Sequence, residues 1–412
     1  MMIRTQPDKE VSNTALQKIS LGTGSQTSQI PKNLLCFSHL RWDFVYQRPQ
    51  HLLTRLSETS AVYFLEEPIF VDCEKSFIIF SQRKPNLLVC TPHLAHGLNQ
   101  DEINQQLREL LSIFFINKDT EDFIFWYYTP MALEFSSHIV PGLTVFDCMD
   151  ELSAFKFAPE QLKNLENNLF ERADVVFTGG HSLYESKKKQ HDNIHPFPSS
   201  IDKKHFAKAR DNRMEPRDQA EIKGVKIGFY GVIDERFDIG LIEEIATARP
   251  DWNIMLIGPV VKIDPATLPR QKNIHYLGSK SYDELPLYLS GWDVALVPFL
   301  LNDSTKFISP TKTPEYLSGG KPVVSSAIRD VVNPYGKQNL VSIANNTTEF
   351  IAAIEHYLNF PERAEWLNRV DKFLLTNSWD YTCSDMAELM SNAFADRKVV
   401  RMPMNSLSAI GG

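Results

Sequence analysis

The chain has 412 residues, 43% of them hydrophobic and 23% charged, and its 43 Lys and Arg against 51 Asp and Glu leave a formal charge of −8. That length can hold two full cores, and the composition excludes collagen-like, coiled-coil and wholly disordered chains. The acidic balance excludes a large nucleic-acid footprint, which needs a basic face, but not a local basic pocket.

Residues 1–30 are rich in Ser, Thr and Gln without an apolar period, and a disordered tail is expected there. The tail lacks the apolar segment of a secretory signal, and no later stretch approaches the roughly 20 apolar residues of a membrane span. Five cysteines (Cys36, Cys73, Cys90, Cys148 and Cys383) lack C-x-x-C spacing, which points to buried, reduced thiols rather than a zinc site or disulfide framework. A cytoplasmic location follows as the expectation.

From residue 33, short apolar runs alternate with helical patterns. The runs at 34–38, 62–66, 87–91, 123–128, 144–148 and 174–179 read as buried strands, with 3.6-period apolar faces between most of them. This is the rhythm of a parallel sheet, and it defines a first domain over 31–205. The polar, charged stretch 206–223 reads as an interdomain connection. A second series over 224–377 has strands at 225–233, 252–259, 273–278, 293–299, 322–326 and 340–344, with a capping box opening at Ser281. The chain from Thr347 to about Phe394 is helical in pattern. The fold class is therefore α/β, with two Rossmann-like, doubly wound parallel sheets.

In such sheets ligands bind beyond the carboxyl ends of the strands, and the cleft between two such domains is the place to look for a site. Gly231, Gly258 and Gly278 follow three strands of the second domain, where backbone N–H groups can approach a ligand closely; turn glycines are also common at strand ends. The segment SPTKTPEYLSGGKPVVSS over 309–326 is more specific. It opens with Ser309, places Lys312 before a short helix and Glu315 in its first turn, and ends that helix at Gly319 and Gly320. A carboxylate there can accept hydroxyl hydrogen bonds from a ribose, and the ammonium can meet a diphosphate; a helix-start Glu and a solvated Lys are the plainer account. In the first domain, RWDFVYQRPQHL over 41–52 mixes polar and aromatic groups suited to sugars or anionic head groups, a helix N-terminus with Pro49 near its first turn being the plainer reading. FDCMDELSAF over 146–155 sets Asp147, Asp150 and Glu151 at a strand end. For a reaction that needs a general base Asp150 is the favoured group and His39 the alternative; a reaction that needs no protein base, and a merely hydrogen-bonded loop carboxylate, are the other readings. No cluster has metal-ligand spacing.

The pattern S-P-x-K-x-x-E-Y-L-x-x-G-K-P-V-V after the strand DVALVPF resembles the donor-site signature of GT-B-fold glycosyltransferases, in particular the family 4-like group. The resemblance extends over most of 33–395, including 38–56, 146–155, 173–183 and 378–390. It implies that Glu315 binds the ribose of a UDP- or GDP-linked sugar, that Lys312 and Arg236 bind its diphosphate, and that the base is read by backbone around Gly258 and Gly278. It also implies helices over 378–398 that pack back on the first domain. One departure is that Phe307 stands where many members have the first Glu of an E-x7-E motif; another is that no Lys closely follows Arg236, a charge that Lys306 or Lys312 would supply.

The implied activity is a metal-independent, hexosyltransferase-type transfer to a glycan or lipid-linked acceptor in cell-envelope or polysaccharide biosynthesis. The nucleotide sugar is a substrate, and no cofactor is expected. A nucleotide-sugar epimerase and a non-catalytic nucleotide-sugar-binding protein are the alternatives. A dinucleotide oxidoreductase is disfavoured because no G-x-G-x-x-G follows either first strand. Peripheral contact with the inner membrane face would use Lys187, Lys188 and Lys189, with Arg41 and Arg48 near the cleft.

Overall fold

The computed structural model describes residues 30–211 and 215–401, so the tail expected over 1–30 lies, apart from its last residue, outside the described residues. The first sheet comprises β1 (Asn33–Phe37), β2 (Ala61–Leu65), β3 (Ile69–Val71), β4 (Phe77–Lys84), β5 (Leu87–Ala95), β6 (Phe123–Tyr127), β7 (Leu143–Cys148), β8 (Val175–Thr178) and β9 (Ile194–Pro196). They run in the order β3-β5-β2-β1-β6-β7-β8-β9, all parallel, with β4 added antiparallel to β5. The second sheet comprises β10 (Val225–Tyr230), β11 (Trp252–Ile257), β12 (Ile274–Tyr276), β13 (Val294–Val297), β14 (Val323–Ser325) and β15 (Ser342–Ile343). Its order is β12-β11-β10-β13-β14-β15, parallel throughout.

The central strands are buried along almost their whole length because helices cover both faces, which is why they read as unbroken apolar runs and not as alternating ones. In each sheet the first strand is flanked by the second on one side and by a later strand on the other: β2 and β6 around β1, β11 and β13 around β10. Strand order reverses at these two places, and a crevice opens there at the carboxyl ends.

The expected connection over 206–223 is helical at Lys203–Asp211 and Arg217–Ala220. Phe206 and Ala209 belong to the core of the second domain, and the His205 ring bonds the Tyr282 carbonyl at 2.9 Å. Charged residues on the outer face of that helix conceal a short apolar stripe. After the second domain, the helix Trp379–Arg401 lies on the first. Trp379, Met386, Met390 and Phe394 join a first-domain core cluster, Arg55 pairs with Asp380 at 2.6 Å, and Arg397 pairs with Asp174. The free cysteines Cys36, Cys90 and Cys148 are buried, and Cys73 and Cys383 are partly so.

Candidate functional site

The carboxyl ends of the two sheets face each other across a cavity of about 430 Å³. Gly231, Arg236, Gly258, Ser309, Lys312 and Glu315 line it from the second domain, and Asp150 lines it from the first. Gly278 stands just behind, its carbonyl accepting the Gly258 N–H at 3.0 Å, while the adjacent Ser279 reaches the cavity. His39 is not part of the lining. Its Nδ1 is buried without a hydrogen-bond partner, and burial, followed by the nearby Lys262 charge, lowers its pKa to about 4.

On the second-domain side, the Lys312 stem lies over Gly231: a Cβ at Gly231 would come within 2.1 Å of the Lys312 Cε. The ammonium projects past the rings of Phe229 and Phe299, at 5.6 and 5.7 Å from their centroids. Glu315 enters from the helix Lys312–Ser318 and accepts a hydrogen bond of 2.8 Å from the Tyr230 hydroxyl, which leaves acceptor capacity on the carboxylate. Burial lowers the pKa of Lys312 and raises that of Glu315, and each charge opposes the shift of the other. Arg236 is gripped by Asp234 through its Nε and Nη2, at 2.6 to 3.1 Å, and lies 5.4 Å from the Phe155 ring of the first domain.

On the first-domain side the three acids of 147–151 part company. Asp147 is fully buried in a forked ion pair with Arg48, whose Nη1 also bonds the Phe197 carbonyl at 2.7 Å. Glu151 turns away to Lys187 at 2.8 Å. Only Asp150 of the three reaches the cavity, and burial raises its carboxyl to about 6 against the opposing pull of Arg236 and Arg48.

One expectation is corrected here. Lys187 is 5% exposed and bridges Glu151 and Glu166, so it does not share a basic surface with the exposed Lys188 and Lys189, of which Lys188 pairs with Glu185; Arg48 is committed to Asp147 and Arg41 to Glu66 at 3.3 Å. Of the two lysines offered as the missing cation, Lys306 lies over the Phe307 ring at 5.2 Å and outside the cavity lining, whereas Lys312 is in it. Phe307 packs against the first-domain core, so this position carries an interdomain contact and no charge.

Several groups that shape the site gave no sequence signal. Asp234 holds Arg236, Tyr230 bonds Glu315, and Tyr46 and Tyr282 meet across the domains as stacked rings 4.5 Å apart. Tyr230 reads as one more apolar strand residue, and the Tyr46–Tyr282 contact joins positions too distant for any local pattern. Further contacts between domains run from Ser199 Oγ to the Ser309 carbonyl at 2.7 Å and from the Ser182 N–H to Asp330 at 3.0 Å.

Residues 225–359 match the family described as glycosyl transferases group 1. The chain is 24% identical over 255 residues to a Bacillus subtilis (strain 168) protein named as a teichuronic acid biosynthesis glycosyltransferase, TuaH; the match covers 57% of this chain and spans 63% of the length of that relative. Among solved structures, sucrose-phosphate synthase from Thermosynechococcus elongatus superposes with a TM-score of 0.66 at 14% identity, covering 89% of this chain and all of that one. WaaG, titled a glycosyltransferase involved in lipopolysaccharide biosynthesis, gives 0.60 at 12% identity, covering 87% of this chain and 99% of that one. The paired parallel sheets facing one cleft and the likeness to these solved structures place the chain in the GT-B fold, with the similarity to group 1 glycosyl transferases carried by its second domain.

Proposed function

We propose that the protein is a glycosyltransferase that moves a hexose from a UDP- or GDP-linked donor to a glycan or lipid-linked acceptor in cell-envelope polysaccharide biosynthesis. The observation that carries this reading is the meeting of Glu315, Lys312 and Arg236 from one domain with Asp150 from the other on a single cavity. The names of TuaH and WaaG, tied to teichuronic acid and lipopolysaccharide, support the envelope acceptor.

In this reading Glu315 accepts hydrogen bonds from the donor ribose, and Lys312 and Arg236 balance the diphosphate. As the bond between the anomeric carbon and the diphosphate oxygen breaks, negative charge grows on that oxygen, and the same two cations stabilise it. The acceptor oxygen forms the new bond to the anomeric carbon, and in an inverting transfer its proton passes to Asp150. We take the transfer to be metal-independent. Lys312 and Arg236 are among the cations that line the cavity, and no group of three or more His, Cys, Asp or Glu among the described residues is arranged to hold a metal ion. No helix among the described residues is long and apolar enough to cross a membrane, so work on a lipid-linked acceptor would be peripheral.

Thermal unfolding with UDP and with GDP tests the donor site: ligand at 100 times its Kd should stabilise by about 2.7 kcal/mol. Incubation with each nucleotide sugar alone tests the reaction class. Conversion of a nucleotide sugar without an acceptor would replace the transferase with an epimerase, and binding without any turnover in the presence of envelope glycans would leave a binding protein.

A further inference from the structure

Tyr282 lines the same cavity as Glu315, and its hydroxyl is buried without a hydrogen-bond partner. Buried hydroxyls in folded proteins are normally paired, so an orphan at the edge of a ligand cavity calls for an explanation. The ring cannot easily turn the hydroxyl elsewhere. It stacks on His205 at 4.3 Å and 8° and on Tyr46 at 4.5 Å and 28°, and it meets Phe206 edge-on at 5.5 Å. Burial, followed by the Glu315 carboxylate, pushes the phenol pKa well up, so the group is a proton donor at any working pH. Glu315 has one oxygen committed to Tyr230 and acceptor capacity left over. A fixed donor and an acceptor thus line the same cavity, and a group that satisfies both at once carries hydroxyls that can donate and accept.

We propose that Tyr282 is a nucleoside-recognition residue: its hydroxyl donates to a ribose hydroxyl oxygen of the nucleotide while Glu315 accepts from the same ribose. The inference rests on the donor-site reading given above. It adds that ribose is read by a donor–acceptor pair in which the donor is positioned by an aromatic stack reaching into the first domain. The ring of Tyr46 therefore belongs to the nucleoside site, although it comes from the acceptor side of the cleft.

The experiment is calorimetric titration of the full chain and of Tyr282→Phe with UDP, GDP and their 2′-deoxy and 3′-deoxy analogues. Phe keeps the stacked ring and removes only the hydroxyl. The wild-type chain should discriminate against at least one deoxy analogue by about tenfold, and Tyr282→Phe should bind the ribonucleotide roughly fivefold more weakly. The discrimination should also shrink in the variant, because the two removals delete one hydrogen bond, not two. The ribo-to-deoxy ratio is taken within each protein and so does not depend on the fraction folded. Wild-type binding with the same ratio in Tyr282→Phe would overturn the assignment of Tyr282 and leave the donor site standing. Absence of UDP and GDP binding by the wild-type chain would overturn the donor-site reading and this inference together.

Discussion

Gly231 directly follows β10 with φ of +141°, and a Cβ there would lie 2.1 Å from Lys312 Cε and 2.7 Å from its Nζ. Gly231→Ala therefore carries two separable costs. Holding an L residue in that backbone region costs about 1–3 kcal/mol. At about 2–4 °C per kcal/mol for a domain of this size, the melting temperature should fall by roughly 2–12 °C. The steric conflict is with the far end of a flexible side chain, so Lys312 moves and the strand stays. Displacing the ammonium removes a charge-assisted contact to the diphosphate of about 1.5–3 kcal/mol, a weakening of UDP or GDP binding by about one to two decades. Titration calorimetry and a melt on the same preparation read the two effects apart. Gly258→Ala is the contrasting control: its Cβ would fall 1.9 Å from the Gly231 carbonyl oxygen, a backbone atom that cannot swing aside, so its main effect should be on stability. If Gly231→Ala melted lower but bound nucleotide as tightly as the wild type, Lys312 would not contact the diphosphate.

Glu315→Ala should weaken nucleoside diphosphate binding by about 1.5–3 kcal/mol, and unchanged calorimetric affinity would remove Glu315 from the ribose. With the Asp150 carboxyl raised to about 6, a base at that position is protonated and idle below that pH. The rate should therefore climb through about pH 6, and Asp150→Asn should lose on the order of 10²–10⁴ in kcat along with the acid limb; a flat profile, or a variant that keeps the limb, would exclude Asp150 as the base. Turnover should survive EDTA, since Lys312 and Arg236 are placed to balance the diphosphate; loss of activity restored by a divalent ion would show otherwise.

The legible part of the fold was the part dictated by burial. The central strands of both sheets are covered on both faces, so their apolar runs stand out from the helical periods between them. β3 and β4 escaped because an edge needs no such run: the outer half of β4, from Ser81 to Lys84, is polar and largely exposed. Within the site, Lys312 and Glu315 were legible because the turn chemistry around them is local to one segment. Asp147 and Asp150, three residues apart at one strand end, looked equivalent in sequence. They are distinguished by Arg48, which lies 99 residues before Asp147, closes a buried ion pair with it and leaves Asp150 to the cleft. Lys187 likewise read as one of three surface lysines because its partners, Glu151 and Glu166, are brought together only by the tertiary fold.

The proposed base and the proposed phosphate cations belong to different domains, so their relation depends on the cross-cleft contacts, among them Ser199 to Ser309, Ser182 to Asp330, Tyr46 on Tyr282, and Phe155 beneath Arg236. Arg236 links the two halves electrostatically as well. It is held by Asp234 in its own domain, and its charge is the largest influence opposing the rise of the Asp150 carboxyl toward neutrality. A diphosphate engaging Arg236 brings negative charge to that guanidinium and offsets its pull on Asp150. The proton affinity of Asp150 must then increase, so the carboxylate becomes a stronger base once the donor is seated. The sign is testable in the pH dependence. The acid limb of kcat/KM reports free enzyme and that of kcat reports the complex, so the kcat limb should lie at the higher pH. Coincident limbs would mean that the diphosphate does not meet Arg236, and that Lys312 carries the phosphate charge alone.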